Sequence, residues 1–490
     1  MKMLINSQWV EAADGAHIDV HNPATGEVID TVPKGASEDV SQAVKAAQDG
    51  SQSMSKLPAH ERAAILSRIA DALEDNLNAL GELLARENGK PIRQTRDEVR
   101  VSARIFRGFG EEAKRLFGRV TPLDAVPGQE HHLAFTIRQP LGVVAAIVPF
   151  NYPVELYAHK AAPALAAGNA VIAKPPSECP LTLLKIAALM EEAGLPRAAH
   201  QMITGPGAVI GEYLASSPGI QLVSVTGSTA TGRRIAELAS QTLKQVHLEL
   251  GGNDAMIVCA DADLDKTATA IVLGRLARGN GQICCAVKRI FVESRAYQSL
   301  TDLLTQQTKV LKVGDQLEED TDVGPLISVK AAIEVETAIA DAVNAGATLR
   351  TGGHRRDAFV EPTVLTDVPS TVHLLNEEVF GPVAPLVAFK DLEEAVRLAN
   401  NSPYGLQAAV FTRDISRAFD IAYRLQAGGV IINWSSALRV ENLPFGGVKM
   451  SGYGREGLHD TLEEMTYQKT IIVHNALSGF TVEHPTDGQH

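Results

Sequence analysis

From Leu141 onward the chain spells short apolar, β-branched runs, GVVAAIVPF, AVIAKPP, QMITG, LVSVTG and QVHLELGG, separated by stretches of helical pattern. These runs do not alternate apolar with polar, so each is buried on both faces. Joined by helices of about 10 to 15 residues, they read as a parallel sheet covered by helices, a Rossmann-like α/β core. After Gly252 a second series follows: AMIVCADADLD, a helical stretch over 266–282, KRIFV, a helix ending near Gly314, PTVLTDV, APLVAFK, QAAVFT and GGVIINW. A second α/β domain is expected, with a cleft between the two. Ahead of both stands a β-like lead (LINSQWV, then HNPATGEVIDTVP). Residues 60–88 then place Ala, Ile and Leu at three- and four-residue spacing, as one buried helix face does.

At 490 residues the chain exceeds what one core organises. A formal net charge of −13, with no local run of Lys or Arg, argues against nucleic acid and anionic membrane surfaces as partners. The longest apolar run, Leu141 to Phe150, is about half of a bilayer span, and MKMLINSQWV has no signal-peptide core. A cytoplasmic protein is expected. The cysteines at 179, 259, 284 and 285 are too few for a disulfide framework and read as reduced thiols, and the scattered His residues indicate no metal.

Four segments carry chemistry. GNGQICCAVKRI (279–290) sets two thiols after a glycine-rich turn; a thiol attacks only as thiolate, so a reactive one needs local help, and the other reading is packing. HLELGGN (247–253) ends an apolar strand with Glu249, where desolvation makes a carboxylate either a general base or one side of a buried pair. In PFNYP (149–153) an Asn follows the first sheet strand, placed to donate to a developing oxyanion or to stabilise a turn. VTGSTATGRRI (225–235), through Gly227 and Ser228, opens a helix whose free N–H groups suit an anion, although Gly-Ser turns are common.

In this order, and with KPPSE (174–178), EEVFGPV (377–383) and PFGGVKMSGYGRE (444–456), the segments resemble the aldehyde dehydrogenase superfamily. The resemblance spans roughly residues 149 to 456. It points toward the branch of succinate-semialdehyde, lactaldehyde and non-phosphorylating glyceraldehyde-3-phosphate dehydrogenases. It implies an NAD(P)-binding domain of 1–121 and 140–250, a catalytic domain of 251–465, and an oligomerisation extension of 122–139 and 466–490, giving a homodimer or homotetramer. It assigns Cys284 as nucleophile, because the reactive Cys stands two residues after the Gln of GQ, and leaves Cys285 to packing. Glu249 becomes the base for the deacylating water, and Asn151 with the backbone N–H of Cys284 the oxyanion hole. Lys174 holds the adenosine ribose, Ser228 the pyrophosphate, and Glu378 with Phe380 the nicotinamide end. Relatives selective for NAD usually carry a Glu where this chain has Ser177, so NADP is expected to be accepted at least as well as NAD.

The expected reaction is oxidation of a short anionic or hydroxylated aldehyde to its carboxylate. The alternatives are succinate semialdehyde specifically, or neutral aldehydes broadly. Arg439, in the loop NWSSALRVENLPFGG, is the expected grip on the substrate's tail, with His159, Arg104 and Arg107 as further donors; an Arg439 paired with Glu441 at the surface is the other reading. Succinate-semialdehyde enzymes usually carry an Arg where this chain has His159. A thioesterase without redox chemistry would not need the nucleotide motifs, and a crystallin-like member would have lost Cys284 or Glu249.

Overall fold

The computed structural model describes residues 1–476, built around two large sheets. The first has eight strands in the order Gln8–Val10, Met3–Ile5, His200–Met202, Ala170–Lys174, Val143–Ile147, Leu222–Thr226, Gln245–Glu249 and Gly452–Tyr453. Its five middle strands are parallel, while the N-terminal hairpin and Gly452–Tyr453 run antiparallel at the edges. Each run read from the sequence supplies one middle strand. Val143–Ile147, Ala170–Lys174 and Leu222–Thr226 are buried throughout, the reason their pattern does not alternate.

One face of this sheet packs on an apolar cluster containing Leu66, Phe106, Phe109, Tyr157 and Leu184; the other packs on Val40, Ile210, Leu214 and Ile235. The helix Pro153–Ala167 is buried along its whole length, pressed between the sheet and the helices Ala59–Asp75 and Ile92–Ala113. Residues 60–88, expected as one helix face, form two helices, Ala59–Asp75 and Leu77–Asn88. At Asn76 the backbone leaves helical geometry and the side-chain amide bonds back to Ala72 O at 2.9 Å, a local competitor of the helix ladder.

The second sheet has seven strands in the order Thr348–Thr351, Thr363–Thr366, Val383–Phe389, Val287–Glu293, Asp254–Val258, Gln407–Phe411 and Gly429–Ile432. All pair in parallel except Thr348–Thr351. A separate antiparallel sheet joins Val120–Thr121, Leu133–Pro140 and Thr466–Val473, with Thr466 opposite Pro140 and Val473 opposite Leu133. No helix of the described residues is long and apolar enough to cross a membrane. The polar tail GFTVEHPTDGQH lies outside the described residues.

Candidate active site

The carboxyl ends of the first sheet's parallel strands carry Asn151, Lys174, Gly227 with Ser228, and Glu249, along the edge where open parallel sheets bind ligands. Asn151 sits in the turn before the helix Pro153–Ala167. Lys90 donates to its backbone carbonyl at 2.7 Å and also bonds Glu98, whose other oxygen accepts from Val154 N at 2.9 Å and Glu155 N at 3.3 Å. This buried clamp fixes the turn while the Asn151 side-chain amide keeps no partner among the described residues, and so stays available to an oxyanion.

Cys284 comes from the second sheet by a different route. A π-helical turn, Val272–Ala277, leads into a turn where Gly279, Asn280 and Gly281 take φ of 56°, 54° and 73°. Only small or amide residues hold such a run without strain. Asn280 is fully engaged, donating to Gly89 O at 3.0 Å and Pro325 O at 2.9 Å and accepting from Gly324 N at 2.8 Å. A Cβ on Gly281 would stand 2.5 Å from the backbone of Gly381 and Pro382, so the GNG turn sits directly on the EEVFGPV segment. The glycines of ELGG serve the same closeness. A Cβ on Gly251 would meet Glu378 Oε2 at 2.2 Å, and one on Gly252 would meet the Cys284 carbonyl at 2.8 Å. Tyr152, beside Asn151, packs on the apolar cluster of Ile283, Cys285 and Phe445 that Cys284 also touches. Motifs distant in sequence thus converge on one thiol.

All four cysteines are free; Cys284 is partly exposed and the other three are buried. Cys284 and Cys285 titrate as a coupled pair: their shared hydrogen bond, then burial, holds the Cys284 thiol up, and the same bond draws Cys285 down. Glu249 is 5% exposed, and burial, then the neighbouring Glu456 carboxylate, holds it well above the usual carboxylate range; Arg439 and Lys160 act against that. Glu456 bonds Lys160 at 2.7 Å and Arg439 at 2.6 Å, and these cations hold it ionised against the cost of burial. A buried carboxyl raised in this way is suited to take a proton near neutral pH.

The expected substrate donors are engaged by carboxylates or buried. Arg107 is held by Asp71 at 2.6 Å and Glu74 at 3.0 Å on the outer face of its helix. Arg104, half exposed, pairs with Glu441 at 3.1 Å. Arg439 therefore is not the surface partner of Glu441, and it is not a free grip: its guanidinium bonds Glu456 and stacks 4.3 Å from the centre of the Phe445 ring. His159 is 2% exposed, and burial and then Arg439 keep it neutral. A cavity of about 570 Å³ opens instead beside Tyr152, lined by Glu155, Arg278, Trp434, Ser435 and Leu438. Arg278, unnoticed in the sequence although it stands six residues before Cys284, stacks 5.5 Å from the Tyr152 ring centre and donates to Ala437 O at 3.1 Å. Glu456 and Lys160 were also missed. Glu456 closes the quoted PFGGVKMSGYGRE motif, and its charge next to a Gly-rich turn was the available signal.

The nucleotide residues fit a dinucleotide. Lys174 is 3% exposed, and burial brings its pKa down to about 8; its ammonium donates to Ser177 Oγ at 3.2 Å, and the Ser177 hydroxyl donates to Gly205 O at 3.0 Å. Ser228 caps the helix Thr229–Ser240 by accepting from Thr231 N, and a Cβ on Gly227 would meet nothing closer than 3.9 Å, which leaves room for phosphate at that helix start. Glu378 and Phe380 line a cavity of about 310 Å³ with Phe150, whose ring meets Phe380 edge-on at 5.8 Å.

Two α/β sheets that bring a thiol near a buried carboxyl, beside parallel strand ends of the kind that bind nucleotides, define the class of α/β dehydrogenases. Residues 9–471 match the Aldehyde dehydrogenase family. The 3-sulfolactaldehyde dehydrogenase of Priestia megaterium is 40% identical over 471 residues, 96% of this chain and 97% of that one. The NADP(+) succinate-semialdehyde dehydrogenase GabD of Escherichia coli is 39% identical over 474 residues, 96% and 97% of the two chains. The crystal structure of succinate-semialdehyde dehydrogenase from Burkholderia pseudomallei superposes with a TM-score of 0.94 at 39% identity, covering 96% of this chain and 98% of that one. The chain belongs to the aldehyde dehydrogenase family and is an NAD(P)-dependent oxidoreductase acting on aldehydes.

Proposed function

We propose that this enzyme oxidises a short aldehyde with an anionic tail, through a thioester on Cys284. The thiolate of Cys284 adds to the aldehyde carbon, and the oxygen, now negative, is held by the Asn151 amide and the Cys284 backbone N–H. NAD(P), when bound, accepts the hydride released as the carbonyl re-forms. Glu249 then takes a proton from water, whose oxygen attacks the thioester, breaks the C–S bond and frees the carboxylate; the proton reaches solvent as Cys284 regains its thiolate or thiol form. Water is the acceptor because Glu249 supplies the base that hydrolysis needs.

The observation that carries the substrate reading is Arg278 on the cavity wall: a guanidinium that donates to Ala437 O and stands over the Tyr152 ring. It offers a carboxylate or sulfonate further donors of its planar fork. Relatives named for 3-sulfolactaldehyde and succinate semialdehyde both act on aldehydes with such a group. Arg278→Ala is expected to raise KM about tenfold or more for succinate semialdehyde or a sulfonated aldehyde, about 1.4 kcal/mol, and to leave propanal unchanged. Equal efficiency on neutral and anionic aldehydes in the unaltered enzyme overturns the reading.

For the cofactor, the short Ser177 beside the Lys174 ammonium supports use of NADP at least as well as NAD. A homodimer or dimer of dimers is supported by the small sheet, whose strand Thr466–Val473 leaves Tyr467 and Ile472 exposed, and by Val120 on its other edge. On the same reading 1–121 with 140–250 binds nucleotide and 251–465 carries the nucleophile.

A further inference from the structure

Lys288 is a buried cation that the reaction described above does not use. It stands in the strand Val287–Glu293, four residues after Cys284, and its side chain is 1% exposed. An ammonium so placed costs several kcal/mol unless its partners hold it, and an apolar side chain would fill the space without that cost. Its Nζ donates to the backbone carbonyl of Cys284, lies 3.1 Å from Glu378 Oε1, and stands 6.0 Å from the centre of the Phe380 ring. Glu378 in turn accepts from Gly252 N at 3.3 Å. The lysine therefore bridges the nucleophile's own peptide and the carboxylate of the EEVFGPV segment.

The ionisable groups facing Cys284 come from every element around it. Cys285 is its neighbour; Asp254 comes from the adjacent parallel strand, Glu378 from the segment after the helix His373–Asn376, and Glu249 from the end of the first sheet. Burial pushes both Asp254 and Glu249 up from the ordinary carboxylate range, which weakens either one as a counter-charge. Lys288 is the cation among these groups, and its ammonium lies between the Glu378 carboxylate and the peptide of Cys284.

We propose that Lys288 is a positioning residue that stabilises the thiolate of Cys284 electrostatically, and that Glu378 opposes this by pairing with the same ammonium. The proposal rests on Cys284 being the nucleophile, but its test reads the sulfur's ionisation directly and does not depend on turnover.

The test is the rate at which iodoacetamide alkylates Cys284 in the full-length, nucleotide-free protein, followed across the pH range in which thiols ionise, with the modified peptide identified by mass spectrometry. Lys288→Met is expected to move the midpoint up by about one pH unit or more. Lys288→Gln keeps a donor for the Cys284 carbonyl but no charge, and is expected to shift it just as far; recovery of the original midpoint by Gln would reduce Lys288 to a tether and overturn the proposal. Glu378→Gln is expected to move the midpoint down. If both lysine variants fail to fold, Glu378→Gln decides alone: a downward shift supports the proposal, and no shift or an upward one overturns it. Cys284 proving dispensable for turnover would instead overturn the proposed function and leave these shifts standing.

Discussion

The two sheets share an architecture and deliver their functional groups by opposite means. The first presents Asn151, Lys174, Ser228 and Glu249 at the ends of regular parallel strands, where the backbone needs no special conformation. The second delivers Cys284 from an irregular turn of three left-handed residues pressed onto a neighbouring segment. A strand end tolerates variation around it, whereas a turn whose glycines touch foreign backbone does not. Sensitivity to substitution should therefore be concentrated around the thiol.

The strongest way to break that contrast is Gly281→Ala. The new Cβ adds left-handed strain of about 1–2 kcal/mol and meets the backbone of Gly381 and Pro382, which cannot yield as a side-chain tip does. Activity is expected to fall by more than about a hundredfold; near-normal steady-state rates would show the turn to be dispensable. Asn151→Ala, on the regular side, removes one oxyanion donor without moving backbone, and kcat is expected to fall about a hundredfold while the thermal midpoint holds. Unchanged kcat would take Asn151 out of the oxyanion hole.

Smaller in effect, and specific to the first sheet, is the ionisation of Lys174. Its pKa is lowered to about 8 by burial, so its charge is present below that pH and lost above it. The ratio of kcat/KM for NADP to that for NAD is expected to fall several-fold as pH rises through about 8, because only the 2′-phosphate profits from the charge. A ratio flat across that range would detach Lys174 from phosphate recognition. Smallest of all is Arg107→Ala: with its guanidinium held by Asp71 and Glu74 at the surface, kcat and KM for an anionic aldehyde are expected to stay within about twofold of the original. A selective rise in KM would return Arg107 to the substrate.

What was legible in the sequence follows the same division. Strand runs buried on both faces announce themselves by lack of alternation, and residues at their ends inherit a position from the fold, so Asn151, Lys174, Ser228 and Glu249 could be placed before any coordinates. Cys284 was singled out through the family motif, as the Cys two residues after the Gln of GQ; the left-handed turn at Gly279, Asn280 and Gly281 that presents it is seen only in the fold. The arginines were not. Arg104, Arg107 and Arg439 were read by their nearness to motifs, but the direction of a long side chain is decided by which carboxylate lies within reach, and Glu441, Asp71, Glu74 and Glu456 became partners only through tertiary packing. The break at Asn76 was hidden for a related reason, since both helices keep the same apolar spacing across it.

The central claim is a thioester that forms on Cys284 and is removed through Glu249. Mass spectrometry of Glu249→Gln mixed with a single portion of aldehyde and cofactor tests it most directly. The account predicts one equivalent of reduced cofactor and an acyl mass on the peptide bearing Cys284, both absent in Cys284→Ala. An acyl group on Cys285 instead, or Glu249→Gln turning over continuously with no acyl-enzyme, would contradict it.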